Sequence, residues 1–131
     1  MPATLEHTNF TVTDPKATAA WMCEVFGWHI RWSGDSIDGG YTVHVGEENS
    51  YLALYRPAKP ATPKGSSYTT VGGLNHVAFV VDDLDACEAA VKKAGFKTSN
   101  HGDYEPGRRF YFHDNDKIEF ELVQYDTPEA S

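Results

Sequence analysis

The sequence predicts an α+β chain of two tandem βαβββ modules whose curved mixed sheets enclose a cavity. Three observations carry this prediction: an opening strand that occurs twice, a capped helix after each copy, and strand-like runs in the same order behind each helix. Leu5-Glu6-His7-Thr8-Asn9-Phe10-Thr11-Val12 is matched by Leu74-Asn75-His76-Val77-Ala78-Phe79-Val80-Val81, so His7 and His76 take equivalent places. Matching strand, helix cap, helix end and last strand in one order argues against chance.

In the first copy Asp14 caps the helix, Pro15 stands at its first position and Gly27 closes it. Ala17, Ala20, Trp21 and Val25 are the expected buried stripe. Strand runs follow at 28–32, 41–45 and 50–56, with Glu47-Glu48 in a turn. Residues 57–72, rich in Pro, Gly, Ser and Thr, read as a linker. In the second copy Asp83 caps, Leu84, Cys87, Val91 and Ala94 form the stripe, and Gly95 closes. Its strand runs are 96–100, 108–113 and 117–125. Module 1 thus spans about 4–56 and module 2 about 73–126 of a single domain covering 1–131. After the helix the alignment slips by one residue and sets Leu52-Ala53-Leu54 against Phe120-Glu121-Leu122.

At 131 residues, 40% hydrophobic and 23% charged, the chain has the balance of a soluble globular protein. A net charge of −8 without a basic stripe argues against nucleic acid, which needs clustered Lys and Arg. No apolar run nears the ~20 residues of a membrane span, and no leader segment is visible. Cys23 and Cys87 fall in predicted helices and form no metal-type cluster, as expected of reduced thiols in a cytoplasmic protein.

Strand alternation assigns faces. Phe10 and Val12 oppose His7, Asn9 and Thr11; Leu52 and Leu54 oppose Tyr51, Ala53 and Tyr55; Ile118, Phe120 and Leu122 oppose Glu119, Glu121 and Val123. The apolar face belongs under the helix, so the mixed face lines the cavity. His7, His76 and Glu121 share that face. Two imidazoles and a carboxylate form a set that binds a divalent ion (Fe, Mn, Zn, Ni or Co) with positions left open for a substrate oxygen.

The paired modules, the LEHTNFTV and GLNHVAFVV openings and the FYFHDNDKIEFELVQY ending resemble the vicinal oxygen chelate superfamily over almost the whole chain. That superfamily includes glyoxalase I, fosfomycin-resistance enzymes, extradiol dioxygenases and metal-free bleomycin-binding proteins. The resemblance implies a glyoxalase-like fold and places the family's metal ligands on His7, His76 and Glu121, with Glu119 as the lesser choice. It also implies a small-molecule substrate and a homodimer, with modules paired within one chain or exchanged between two. Two departures stand out. Ala53 occupies a position where glyoxalase I carries a glutamate, which disfavours that activity. The family's Asp-x-Asp-Gly-Asn turn is here Asp114-Asn115-Asp116-Lys117, without the glycine. The chain also has half the modules usual for extradiol enzymes, and no clear potassium-loop or phosphonate signature of the fosfomycin enzymes.

Three functional readings therefore stay open. One is a metal-dependent lyase, isomerase or dioxygenase acting on a small oxygenated metabolite. Another is a metal-free protein that sequesters a drug or metabolite, its histidines satisfied by hydrogen bonds. The third is a structural or regulatory subunit whose glutamate and histidines are relics. If Phe110 and Phe112 pack under the helix, Arg109, Tyr111 and His113 look into the cavity. Arg109 there would pair with a substrate carboxylate or phosphate, against the default of a solvated strand-end arginine. Glu119, Tyr111 and His113 are the candidate bases, and Glu121, Tyr111 and Glu119 the candidate catalytic groups. Tyr51, Tyr55, Asn9 and His113 are candidate substrate contacts, although pocket-wall aromatics are commoner. His44 is open to either face, His29 and His101 look peripheral, and Trp21, Trp28 and Trp32 read as core and rim.

Overall fold

The computed structural model describes residues 2–62 and 65–126. The chain divides into two compact units, Met1–Lys64 and Gly65–Ser131; residues 63 and 64 of the expected linker lie outside the described part. In the first unit β1 (His7–Thr11), α1 (Pro15–Phe26), β2 (His29–Asp35), β3 (Tyr41–Gly46) and β4 (Tyr51–Arg56) form a sheet of order β1-β4-β3-β2. In the second, β5 (Val77–Val80), α2 (Leu84–Lys93), β6 (Thr98–Tyr104), β7 (Gly107–His113) and β8 (Glu119–Tyr125) form a sheet of order β5-β8-β7-β6. Each opening strand runs parallel to the last strand of its module, and the other pairs are antiparallel. The α+β class and the tandem βαβββ order are those read from the sequence. No helix among the described residues is long and apolar enough to cross a membrane.

Both helices begin and end where their caps demand. Asp14 Oδ1 accepts from the Ala17 N–H at 3.2 Å, and Asp83 Oδ1 from the Ala86 N–H at 3.0 Å. Gly27, at φ 71°, and Gly95, at φ 102°, take the left-handed conformation that ends each helix. Helix α2 buries Leu84, Cys87 and Val91, and burial pushes the Cys87 thiol up to about 11. Helix α1 corrects the expected stripe: it buries Pro15, Thr18, Ala19 and Met22, not Ala17, Ala20, Trp21 and Val25. A threonine at the centre of the true stripe breaks its apolar pattern. Trp21 instead packs edge-on against Phe26, with ring centroids 5.6 Å apart.

The apolar faces lie where alternation put them. Val43, Val45, Leu52 and Leu54 are buried on the strands that α1 covers, and Phe110, Phe112, Phe120 and Leu122 on those that α2 contacts. Strands β2 and β6 extend beyond their expected ends at 32 and 100. Their C-terminal halves are polar and show no alternation, yet their backbones pair with β3 and β7 across bulges. At the β6 bulge Asn100 adopts φ 52°.

His101 follows Asn100, and its Nε2 meets Glu88 Oε2 at 2.6 Å. Thr98 Oγ1 donates to the same oxygen, and Lys92 Nζ lies 3.7 Å away, so one carboxylate ties α2 to β6. Burial alone would raise the Glu88 carboxyl. The bonds from Thr98 and His101, with the charges of His101 and Lys92, outweigh it and hold the group below its usual range.

Strand β8 starts at Glu119 and not at 117, because the preceding residues close a turn around Asp114. The buried Asp114 Oδ1 accepts from the Asp116 and Ile118 N–H groups at 2.9 and 3.0 Å, while its own N–H bonds the Ile118 carbonyl. Lys117 takes φ 62° at the place of the family's glycine. The turn forms without glycine at a strain cost of about 1–2 kcal/mol.

Two predictions follow the ion chemistry and the turn. Asp114→Ala removes the acceptor of two part-buried N–H groups and is expected to cost about 1–3 kcal/mol in all, whereas Lys117→Gly relieves strain and raises stability by up to about 1 kcal/mol; urea unfolding measures both. Because the folded-state Glu88 carboxyl is held low, its stabilisation is complete above the ordinary glutamate range and lost as pH falls through the lowered value. The stability gap between wild type and Glu88→Gln is therefore expected to be widest near neutral pH and to close on acidification.

Candidate functional site

The second module gathers its polar side chains on the sheet face away from α2. The ladder pairs Glu121 with Ala78 on one side and Tyr111 on the other, and Glu119 with His113. Val77 pairs with Phe120, so His76, one residue before β5, enters the same face beside the glutamates. His76 Nε2 stands 3.2 Å from Glu121 Oε1, and His76 Nδ1 stands 3.6 Å from Glu119 Oε2. His113 Nε2 approaches Glu119 Oε1 at 3.6 Å.

Tyr68 completes this group. Its hydroxyl donates toward both Glu119 oxygens at 3.2 Å and lies 3.3 Å from His76 Nδ1. One hydroxyl thus bridges the imidazole and the carboxylate, and the tautomer of His76 sets which partner receives its proton. Removal from water raises the Tyr68 phenol, and the Glu119 bond and charge add to it. Tyr68 belongs to a 3₁₀ turn, Ser67–Thr69, inside the stretch read as linker.

Glu121 is buried and Arg109 nearly so, with side chains 7% and 10% exposed. Arg109 Nη1 donates to Glu121 Oε2 at 2.8 Å, while Nη2 points at the carbonyls of Tyr104, Glu105 and Gly107 at 3.2–3.4 Å. The guanidinium also covers the Tyr104 ring at 4.1 Å. Burial and the Glu121 carboxylate push the Tyr111 phenol up to about 12, so it keeps its proton at neutral pH.

The first module presents aromatic rings at the corresponding positions. His7 stacks on Tyr51 with centroids 4.9 Å apart, and His44 lies 4.7 Å from the same ring. Arg31 sits over Tyr51 at 4.3 Å, and Trp32 tilts against His44 at 5.1 Å. His44 thus joins the face of His7 and Tyr51. Burial pushes the His44 imidazole down, and His7 and Arg31 add to this. His7 Nδ1 faces Glu6 Oε1 at 2.9 Å. Ala53, 1% exposed, fills the ladder position between Asn9 and His44 where the second module has Glu121. Tyr55 donates its hydroxyl to the Ile37 carbonyl at 3.0 Å and packs against Gly40, where any Cβ would lie within 2.5 Å of the ring.

His76, Glu119, Glu121, Tyr111, His113 and Arg109 are therefore neighbours on one face; His7, Tyr51 and Asn9 belong to the other unit. Among the described residues no three His, Cys, Asp or Glu side chains gather at one point as a ready metal site. Within the second module the donor chemistry does fit an ion. His76 Nε2 and Glu121 Oε1 are 3.2 Å apart, the separation of neighbouring ligands each ~2.0–2.2 Å from one metal. Sequence reasoning missed Tyr68 and Glu6. The repeat puts Asn75 at the place of Glu6, and the only signal for Tyr68 was one aromatic residue in a polar run.

Comparison with known proteins places this geometry in context. The model of one family, the Glyoxalase/Bleomycin resistance protein/Dioxygenase superfamily, matches residues 4–122. The uncharacterized protein YaeR of Escherichia coli (strain K12) is 26% identical over 133 residues, covering 92% of this chain and 95% of that one. A glyoxylase/bleomycin resistance protein/dioxygenase domain from Frankia sp. EAN1pec superposes with a TM-score of 0.82 at 21% identity, covering 98% of this chain and 96% of the other. A mutant of the fosfomycin resistance protein FosX from Listeria monocytogenes, complexed with Mn(II) and 1S,2S-dihydroxypropylphosphonic acid, does so at 0.73 and 20% identity, covering 95% and 94%. At these identities the solved structures establish the shared fold.

Tyr68→Phe removes the hydroxyl between His76 and Glu119. Nitrogen-15 NMR of the histidine side chains is expected to show a changed tautomer balance at His76, while urea stability changes by no more than about 0.5 kcal/mol for so exposed a side chain.

Proposed function

We propose, from the premise that this chain belongs to the Glyoxalase/Bleomycin resistance protein/Dioxygenase superfamily, that it is a metal-dependent enzyme of vicinal oxygen chelate type acting on a small oxygenated metabolite. His7, His76 and Glu121 are its metal ligands in this reading. The observation that carries it is the disposition of His76 and Glu121. Nδ1 of His76 is engaged by Tyr68 and Oε2 of Glu121 by Arg109, so Nε2 and Oε1, the remaining ligand atom of each, stand 3.2 Å apart. Partners of this kind on the far side of a ligand orient it toward a metal. The Mn(II) complex of a FosX protein of like fold supports a divalent ion.

A divalent ion bound there supplies Lewis-acid polarisation of a substrate oxygen. The chain's own groups divide the remaining work. Glu119, hydrogen-bonded by Tyr68 and within 3.6 Å of His113, is the carboxylate we assign to accept a proton. Tyr111, paired with Glu121 across the ladder, is assigned as a proton donor. His113, Tyr51 and Asn9 are assigned to substrate contact, and a homodimer is the assembly we propose.

Metal analysis of unchelated protein tests this reading. Stoichiometric divalent metal is expected, with affinity lowered at least about ten-fold in His7→Ala, His76→Ala and Glu121→Gln. Substoichiometric metal that His76→Ala leaves unchanged would sink it. Mixing equal amounts of His7→Ala and His76→Ala protein tests exchange between chains: one site in each mixed dimer, about a quarter of all sites after random re-pairing, regains metal if each centre draws its two histidines from different copies, and none if it does not.

A second reading, a metal-free protein that sequesters a drug or metabolite, is favoured by Ala53. The first module offers stacked rings with an alanine where a carboxylate would stand. Binding of such a ligand would be indifferent to a chelator, and binding abolished by one would reject this reading.

A further inference from the structure

The fold contains its own control for the Arg109–Glu121 pair. Tyr111 pairs with Glu121 as His44 pairs with Ala53. Arg109, two residues before Tyr111, therefore corresponds to Thr42, two residues before His44. The first module builds the same strands with Thr42 and Ala53, both buried, so the sheet does not need an ion pair at this place. Guanidinium and carboxylate stand together in one module and are both absent from the other. Burying two charges is costly even when they are paired, and replacing them by smaller neutral groups is the cheaper way to fill a sheet face.

The contacts show what the pair does. Arg109 holds only Oε2 of Glu121, at 2.8 Å. A carboxylate on a flexible side chain can turn either oxygen, or both, toward a cation. With Oε2 held, Oε1 alone remains beside His76 Nε2. Arg109 is itself fixed by the carbonyls of Tyr104, Glu105 and Gly107 at the β6–β7 turn and by the Tyr104 ring. Its Nε is buried without a hydrogen-bond partner among the described residues. It has little room to reach outward for a substrate.

We propose that Arg109 is a positioning residue: it fixes Glu121 as a one-oxygen ligand and couples that ligand to the β6–β7 turn. The inference rests on the reading that His76 and Glu121 hold a metal ion.

Calorimetric titration of Mn(II) alone into metal-free protein tests it. Arg109→Gln is expected to weaken Mn(II) binding by about ten- to a hundred-fold, and to have no further effect in a Glu121→Gln background. The sign is diagnostic, because removing a nearby positive charge would by itself tighten the binding of a cation. Affinity in Arg109→Gln that is unchanged or tighter than wild type overturns the proposal, as does an equal loss in the Glu121→Gln background. Should Arg109→Gln fail to fold, Arg109→Lys keeps the charge but cannot reach both Glu121 and the turn carbonyls. Weakened binding in it supports the proposal and wild-type affinity overturns it. A wild-type protein that binds no Mn(II) overturns the metal reading and this inference with it, whereas wild-type binding with indifferent variants overturns only the role of Arg109.

Discussion

In each module the first strand lies parallel against the last, and the candidate side chains take their places from that pairing. Parallel neighbours cannot be joined by a tight turn, so the chain crosses over through a helix that covers one face of the sheet. The apolar residues of the central strands go under that helix. Whatever is polar on those strands is left on the opposite face. Register then does the rest: His7 pairs with Tyr51, Asn9 with Ala53, and Ala78 with Glu121. A slip of one residue in β8 would turn Glu119 and Glu121 under α2 and bring Phe120 out. The turn held by Asp114 sets the start of β8, so the buried aspartate next to His113 governs where the glutamates point.

The two modules share this frame and fill it differently. Tyr51, Ala53, His44 and Thr42 in the first stand where Glu119, Glu121, Tyr111 and Arg109 stand in the second. One face is a stack of rings with Arg31 laid over it; the other is a network of charges. The network is closed by necessity, since a buried carboxylate without partners would be neutralised or would destabilise the fold. Glu121 accordingly meets Arg109 and His76, and Glu119 meets Tyr68, His76 and His113. The same partners orient the atoms that would meet a metal. In the reading we propose, satisfying these buried polar groups also prepares the ligands.

Family membership narrows the chemistry without choosing a reaction, because the superfamily's name alone spans glyoxalases, bleomycin resistance proteins and dioxygenases. The choice rests on the site. The second module supplies a histidine and a carboxylate already aimed at one spot, and the first a histidine whose Nδ1 is held by Glu6. The proposal is weighted accordingly: the paired donors His76 and Glu121 lie in the second module, and His7 is the ligand assigned in the first.

The sequence by itself determined the elements that depend on near neighbours. Asp14 and Gly27, Asp83 and Gly95 mark the helix ends, because caps act within a turn of the chain. Alternation assigned the faces of β1, β4, β7 and β8, and the repeat exposed Ala53 opposite Glu121. It misplaced the buried stripe of α1, where Thr18 interrupts the apolar pattern, and the ends of β2 and β6, which are held by ladder bonds from a neighbouring strand and not by their own side chains. Only the tertiary structure decided the partners. It brought Tyr68 onto His76 and Glu119, gave Arg109 to Glu121, and put His44 on the ring face with Tyr51. Periodicity reports which side of a strand a residue occupies, but a hydrogen bond or ion pair depends on distances between strands and turns far apart in sequence, and those exist only once the sheet has formed.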